Sequence, residues 1–258
     1  MKNNKHLLIS EETPWGKIEV YKNGRLHYLY LQDNEAIQSK LDIEKKEELL
    51  LQHCRAMMSF LLFQPKPKSL LLLGLGGGNL IHFLSHWFPD INIEAVEINY
   101  KMVEIAKKYF AVVETPRINI KVSDAFSFIA NERDNCVDVI LVDIHDGKCI
   151  PGFIANHEFM DHCYRTLSEK GVLVINVIAN SDEDFLKIMK ALRRSFTGVS
   201  LCMTLKDNKN IMVFAFKSLN TLDMDRLHIK ADKLQQKYDI EFSQFIKDAV
   251  KVDAKYSH

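Results

Sequence analysis

The amino-acid sequence has no excess charge of either sign: 34 Lys and Arg balance 34 Asp and Glu over 258 residues. A chain whose main partner is nucleic acid shows a basic excess, so that class is set aside, although local basic patches stay open. No apolar run approaches the roughly 20 residues of a membrane span. The Met1–His6 segment is polar and lacks the apolar core of a signal peptide. Cys54, Cys136, Cys149, Cys163 and Cys202 are scattered, odd in number and contain no CxxC pair. Reduced thiols in a cytoplasmic protein are the expectation. No metal is expected either. His82 and His86 stand one helical turn apart, as do His157 and Asp161, but no four-ligand set with zinc-like spacing accompanies them. Internal repeats and low-complexity linkers are absent.

What is present is ordinary globular material, 47% hydrophobic and 26% charged, long enough for one α/β domain and a small added lobe. The chain is organised around Leu70-Leu71-Leu72-Leu73-Gly74-Leu75-Gly76-Gly77-Gly78-Asn79-Leu80. A leucine run leading into glycines, then a mixed apolar segment to Phe88, reads as a buried parallel strand, a tight turn and a helix. Glycines let a ligand approach the backbone, and the helix start offers N–H groups and partial positive charge. A nucleoside-type cofactor is expected there. The spacing is not GxGxxG, so a turn that only packs a helix on a sheet is the competing reading.

Residues 1–40 read as an antiparallel β-lobe, with Lys17–Tyr21 and Leu26–Leu31 as strands around the Asn23-Gly24 turn. Residues 41–258 read as the main domain. Leu41–Phe63 has a long helical pattern with Asp42 as N-cap, ended by Pro65 and Pro67. Strands then alternate with helices: strands at Leu70, Ile91–Val96, Ile118–Val122, Val137–Val142 and Gly171–Val177, helices at Tyr100–Phe110, from Ala125, at Asn156–Leu167 and Asp182–Phe196. That alternation predicts a parallel sheet covered on both faces. Val199–Leu205 and Ile211–Phe216 read as a terminal antiparallel pair, and the chain after about 220 as amphipathic helix packed outside.

In such sheets ligands sit beyond the C-terminal strand ends. Four carboxylates fall at such ends. Glu97, about 20 residues past the glycines, is placed to accept hydrogen bonds from ribose hydroxyls. Asp124 either meets an adenine amino group or caps the helix that follows, and the two roles are compatible. Asp143 and Asp146 follow the fourth strand, where two nearby carboxylates can orient a cation and accept a proton. A merely polar loop is the alternative, as it is for the neighbouring His145.

These segments resemble the spermidine synthase (polyamine aminopropyltransferase) family. The likeness is carried by the strand–glycine–helix unit, Val96-Glu97-Ile98-Asn99, Ser123-Asp124-Ala125, Val139–Asp146 and Gly171–Val174, together with Trp15–Val20, Ile37-Gln38 and Gln52-His53. It spans roughly residues 10 to 216. The resemblance implies a Rossmann-like S-adenosylmethionine-dependent methyltransferase fold with a small N-terminal β-lobe. It implies transfer of an aminopropyl group from decarboxylated S-adenosylmethionine to a polyamine such as putrescine, in a homodimer formed through the N-terminal lobe; composition and spacing separately lead to the expectation of no metal, no nucleic-acid partner and no membrane. Gly74, Gly76 and Gly77 would cradle the cofactor, Glu97 hold its ribose, and Asp124-Ala125 border its adenine. Asp143 would contact the cationic tail, Asp146 would take the proton of the attacking amine, and Gln38 and His53 would line the cofactor and amine pocket. Gly77 stands where the family's glycine loop carries an Asp that binds the aminopropyl amine, Gln52 replaces a Tyr, and Gly147 replaces a Pro. Ordinary S-adenosylmethionine, in a methyltransferase on the same scaffold, is therefore the second reading, and a non-catalytic nucleoside-binding homologue the third.

Overall fold

The computed structural model describes residues 4–32, 36–144, 151–179, 181–205, 210–219 and 221–252. The chain opens with an antiparallel sheet of β1 (His6–Glu11), β2 (Ile18–Asn23), β3 (Leu26–Leu31) and β4 (Ser39–Asp42), paired in that order. Next come α1 (Gln52–Met57) and a 3₁₀ turn, Met58–Leu62. The main layer then runs β5 (Ser69–Leu73), α2 (Asn79–Trp87), β6 (Asn92–Glu97), α3 (Tyr100–Tyr109), β7 (Ile118–Val122), α4 (Ala125–Ala130), β8 (Val137–Val142), α5 (His157–Thr166), β9 (Leu167–Ile178), α6 (Asp182–Ser195), β10 (Ser200–Thr204) and β11 (Asn210–Phe216). Helices α7 (Met224–Tyr238) and α8 (Phe242–Asp248) and a last strand, β12 (Ala249–Val252), end the described chain.

The second sheet has the order β12-β10-β11-β9-β8-β5-β6-β7. Its five strands from β9 to β7 are parallel, whereas β11 pairs antiparallel with β9, and β10 with β11. Strand β5 lies between β6 and β8, so the chain reverses direction across the sheet at that point, which is where open α/β sheets bind ligands. The leucine run of β5 serves both faces. Leu70 and Leu72 join the cluster beneath α1, α2 and the C-terminal helices, while Leu71 and Leu73 join the one beneath α4, α5 and α6. Burial on both sides is why this strand is apolar without alternation. A third cluster fuses the β-lobe to α3, with Ile18, Val20, Leu29 and Leu41 against Met102, Ile105 and Phe110. No helix among the described residues is long and apolar enough to cross a membrane.

The helix expected over Leu41–Phe63 does not form. Leu41 and Asp42 complete β4, pairing with His27 and Leu26. Asp42 is a buried ion-pair partner of Arg25 (Nε to Oδ2, 2.6 Å), not a helix cap. Only Gln52–Met57 is α-helical. The charged Glu44–Glu48 stretch has helical propensity, but the strand pairing that precedes it overrides that weak preference. Strand β9 begins four residues before the expected Gly171, and β12 adds an unforeseen edge against β10. The turn that the sequence places between the last two strands, at Asp207-Asn208-Lys209-Asn210, lies almost wholly outside the described residues.

Candidate active site

The site begins with strand register. Leu73 of β5 pairs with Val96 of β6 on one side and Val142 of β8 on the other. One residue further along each strand are Gly74, Glu97 and Asp143, at the same level. The ladder continues through Gly74 N–H to the Val96 carbonyl (2.8 Å) and Asp143 N–H to the Leu73 carbonyl (2.8 Å). A side chain at position 74 is excluded, because its Cβ would fall 2.2 Å from the Asp143 carbonyl oxygen. Glycine there lets two strand ends converge.

Above these ends is a hollow of about 420 Å³, lined by Gln38, Cys54, Gly74, Gly76, Glu97 and Asp143 among others, with Trp15 at its edge. A smaller hollow of about 90 Å³ shares Gly74, Glu97, Ile98 and Ile144 with it and adds Asp124, Ala125 and Phe153. Seven of the candidate residues thus surround two adjoining spaces. Three do not. Gly77 is packed away from the hollow, between Ser39 and Phe110. His53 is not among the residues lining either space, although one of its ring nitrogens lies within 4.8 Å of the Cys54 sulfur and an Asp143 oxygen. Asp146, with His145 and Gly147, lies outside the described residues. A separate cavity of about 460 Å³ sits between the 3₁₀ turn and α7, among Lys170, Arg226 and Lys230, at none of these strand ends.

Each carboxylate has a distinct setting. Glu97 accepts Leu75 N–H (3.0 Å) on Oε2 and Asn99 N–H (2.9 Å) on Oε1, tying the glycine turn to the end of β6. Burial pushes its carboxyl up from the ordinary value, while these N–H donors pull the other way. Asp124 caps α4, its Oδ1 accepting Ser127 N–H at 2.7 Å. Its capping role is realised, and it borders the smaller hollow as well. Asp143 Oδ1 accepts from Asn176 Nδ2 (2.8 Å), and Asn176 Oδ1 accepts from Asn210 Nδ2 (2.7 Å). Burial drives the Cys54 thiol well above its usual range, with the Asp143 charge adding to that.

The glycine turn spends its own amides. Gly74 N–H goes to Val96, Leu75 N–H to Glu97, Gly77 N–H to Ser39 Oγ (2.8 Å) and Gly78 N–H to the Leu75 carbonyl (2.9 Å), and Gly76 N–H faces Glu97. Among the described residues no Lys, Arg or His lines either hollow, and every charged side chain that does is a carboxylate.

Sequence reasoning did not single out Ser39, Asn79, Asn176 or Cys54. Asn79 Nδ2 donates to the Lys40 carbonyl (2.8 Å), so the lobe is pinned to the turn at two adjacent residues. Asn176 did leave a readable sign, being the one polar residue in the otherwise apolar Gly171–Ile178 stretch. Ser39 left none, because its role depends on contact with a turn 38 residues away.

Residues 51–226 match the family described as "Spermine/spermidine synthase domain". The chain is 32% identical over 232 residues to a polyamine aminopropyltransferase of Chromobacterium violaceum, covering 89% of this chain and 88% of that relative. It is 32% identical over 152 residues to the human eEF1A lysine and N-terminal methyltransferase, covering 52% of this chain but 22% of that longer protein. In fold it is similar to a probable spermidine synthase of Corynebacterium glutamicum, with a TM-score of 0.77 at 17% identity over 96% of this chain and 91% of that one.

Proposed function

The chain belongs to the spermine/spermidine synthase family, and from that premise we propose that it transfers the aminopropyl group of decarboxylated S-adenosylmethionine to an amine of a polyamine such as putrescine. The observation that carries this reading is the charge of the site: the described charged groups around the two hollows are Glu97, Asp124 and Asp143, all carboxylates. Such a site attracts a sulfonium with an ammonium tail and a cationic amine acceptor. It offers no described cation to a donor carboxylate.

The roles follow from position. Glu97 accepts the ribose hydroxyls, Asp124 and Ala125 border the adenine in the smaller hollow, and Asp143 faces the donor's ammonium tail. Gln38 bounds the tail and amine end, and His53 stands beside Cys54 and Asp143 without lining the hollow. The amine nitrogen attacks the carbon attached to sulfur, the carbon–sulfur bond breaks, and its electron pair leaves on the neutral thioether, 5′-methylthioadenosine. A sulfonium is already a good leaving group, so the protein's main contribution is alignment of nitrogen, carbon and sulfur. The amine must shed a proton, and Asp146 is the proposed acceptor. Free thiols at the four described cysteines suit a cytoplasmic setting, and the β-lobe is the proposed homodimer face.

A second reading, methyl transfer from ordinary S-adenosylmethionine, is favoured by one feature. Gly77 stands where the family carries a carboxylate for the aminopropyl amine, and the space beside it is filled by Ser39 and Phe110. Calorimetry with each donor, followed by product analysis with putrescine, separates the two. Decarboxylated donor should bind at least about tenfold more tightly, since a carboxylate tail would face Asp143 without a counter-charge. Binding of the ordinary donor alone would reject aminopropyl transfer. Asp146→Asn should keep donor binding and lose about 10²–10⁴-fold in turnover; unaltered turnover would remove Asp146 from the mechanism.

A further inference from the structure

Beside the larger hollow, the residue that follows β8 meets the first turn of α1. There His53, Cys54 and Asp143 present an imidazole nitrogen, a thiol sulfur and a carboxylate oxygen, all within 4.8 Å of one another. We propose that these three side chains form a binding site for a thiophilic divalent cation of the zinc type, and that the bound cation excludes the donor. The binding half of this inference does not depend on which group the enzyme transfers.

The donor set has the right chemistry. Zinc takes nitrogen, sulfur and oxygen ligands at about 2.0–2.3 Å in a tetrahedron, which puts ligand atoms roughly 3.3–3.7 Å apart. From at most 4.8 Å, closing that gap takes about 1 Å of side-chain rotation, within the reach of ordinary rotamer adjustment. Asp143 is held by Asn176, itself held by Asn210, the kind of second hydrogen bond that fixes a metal-binding carboxylate. Cys54 is 5% exposed, so its sulfur is shielded from bulk water, and a bound cation would take the place of the thiol proton.

The fourth coordination position is the informative one. Cys54 and Asp143 both line the hollow, so a cation they share has its remaining position open to that space, as in zinc sites that keep a place for water or a ligand. It also sets a double positive charge beside the group assigned to the donor's ammonium tail. Cation and donor would therefore compete for Asp143, and each would weaken the other by the same factor.

The test uses the full chain and Co²⁺ as a spectroscopic stand-in for zinc. One equivalent of Co²⁺ should give a thiolate-to-cobalt charge-transfer band together with the strong visible bands of a tetrahedral site, and Zn²⁺ should abolish both. Cobalt binding without a thiolate band overturns the proposal. Cys54→Ser should remove the band and weaken zinc by more than the 10–100-fold that an outer-shell change costs a metal site, whereas Cys202→Ser should leave it intact; the reverse pattern refutes the assignment. Should Cys54→Ser not fold, X-ray absorption of the zinc-loaded wild-type chain decides the matter: one sulfur at about 2.3 Å is expected, and a shell of only nitrogen and oxygen overturns the site. Decarboxylated S-adenosylmethionine at ten times its dissociation constant should weaken zinc about tenfold. Independent binding of the two would refute the open position in the hollow.

Discussion

Gly77→Ala tests how the small lobe meets the glycine turn. A Cβ at position 77 would lie 2.8 Å from Ser39 Cβ and 2.9 and 3.1 Å from two ring carbons of Phe110. Neither neighbour can retreat cheaply. Ser39 belongs to β4 and is 5% exposed, and Phe110 is fully buried. Forcing a methyl group into packing of this kind costs about 1–3 kcal/mol. Against that, alanine restricts the unfolded chain and returns about 0.4–1 kcal/mol. Gly77 has no left-handed φ to lose, so steric overlap decides the sign and the net loss is about 1–2 kcal/mol. At about 2–4 °C per kcal/mol for a chain of this size, melting should fall by about 2–8 °C. Scanning calorimetry of the wild type, Gly77→Ala and Gly152→Ala measures this. A Cβ at position 152 would meet no atom within 4 Å, and Gly152 has no left-handed φ, so its alanine variant should melt at or slightly above the wild type. Combining Gly77→Ala with Ser39→Gly, which removes one of the two overlaps, should show a favourable coupling of at least about 0.5 kcal/mol. An unchanged melting point for Gly77→Ala with additive behaviour in the double variant would refute the claim that the lobe is pressed onto the turn.

Because burial raises the Glu97 carboxyl above its ordinary 4.5, the folded chain binds a proton that the unfolded chain has released. Stability contributed by this group is therefore full below 4.5 and declines as pH rises toward the raised folded value. Urea titrations of the wild type and Glu97→Gln should show the wild type losing ground relative to the variant across that window, and a constant difference would contradict the shift. Arg55 donates to Glu241 (2.6 Å) and to the carbonyls of Leu49 (3.2 Å) and Asp239 (2.5 Å). Arg55→Ala should cost about 1–2 kcal/mol and speed amide exchange around 239–241, where α7 hands over to α8; unchanged exchange there would show that the clamp is idle.

The strand ends were legible because each carried two signals, an apolar run and then a carboxylate or glycine. β5, β7 and β8 end where the patterns at Leu73, Val122 and Val142 place them, and β6 ends one residue past Val96, at Glu97. Leu41–Phe63 was not legible, since helical spacing and strand pairing coexist there and only the position of β3 decides between them. The same holds for the glycine turn. Sequence supplies Gly77 but not what covers it, and a turn meant to admit a ligand looks the same as one meant to admit Ser39 and Phe110. Asp143 was legible as a strand-end acid, while its partnership with Cys54 was not, because the two are far apart in the chain and only the packing of α1 on β9 and β11 brings Cys54 beside the end of β8.

That closure bears on how the site could discriminate between donors. In the glycine turns of nucleotide-binding sheets, free backbone N–H groups attract anions. Here the N–H groups of Gly74, Leu75, Gly77 and Gly78 are each bonded within the chain, and that of Gly76 faces Glu97. The turn has the shape of an anion cradle without its free donors. A donor carboxylate reaching it would have to displace Ser39 or Glu97 from an existing hydrogen bond, and breaking a buried bond of this kind costs about 1–3 kcal/mol. A donor without the carboxylate asks for no such exchange and, in the role proposed for Asp143, would meet that carboxylate with its ammonium. Selectivity of about 5- to 150-fold from this one difference follows from that range. Ser39→Ala isolates it. The variant frees the Gly77 N–H while leaving the Asp143 end untouched, so calorimetry should show tighter binding of ordinary S-adenosylmethionine and little change for the decarboxylated donor. If both donors respond equally, the engaged amides are not what sets the preference.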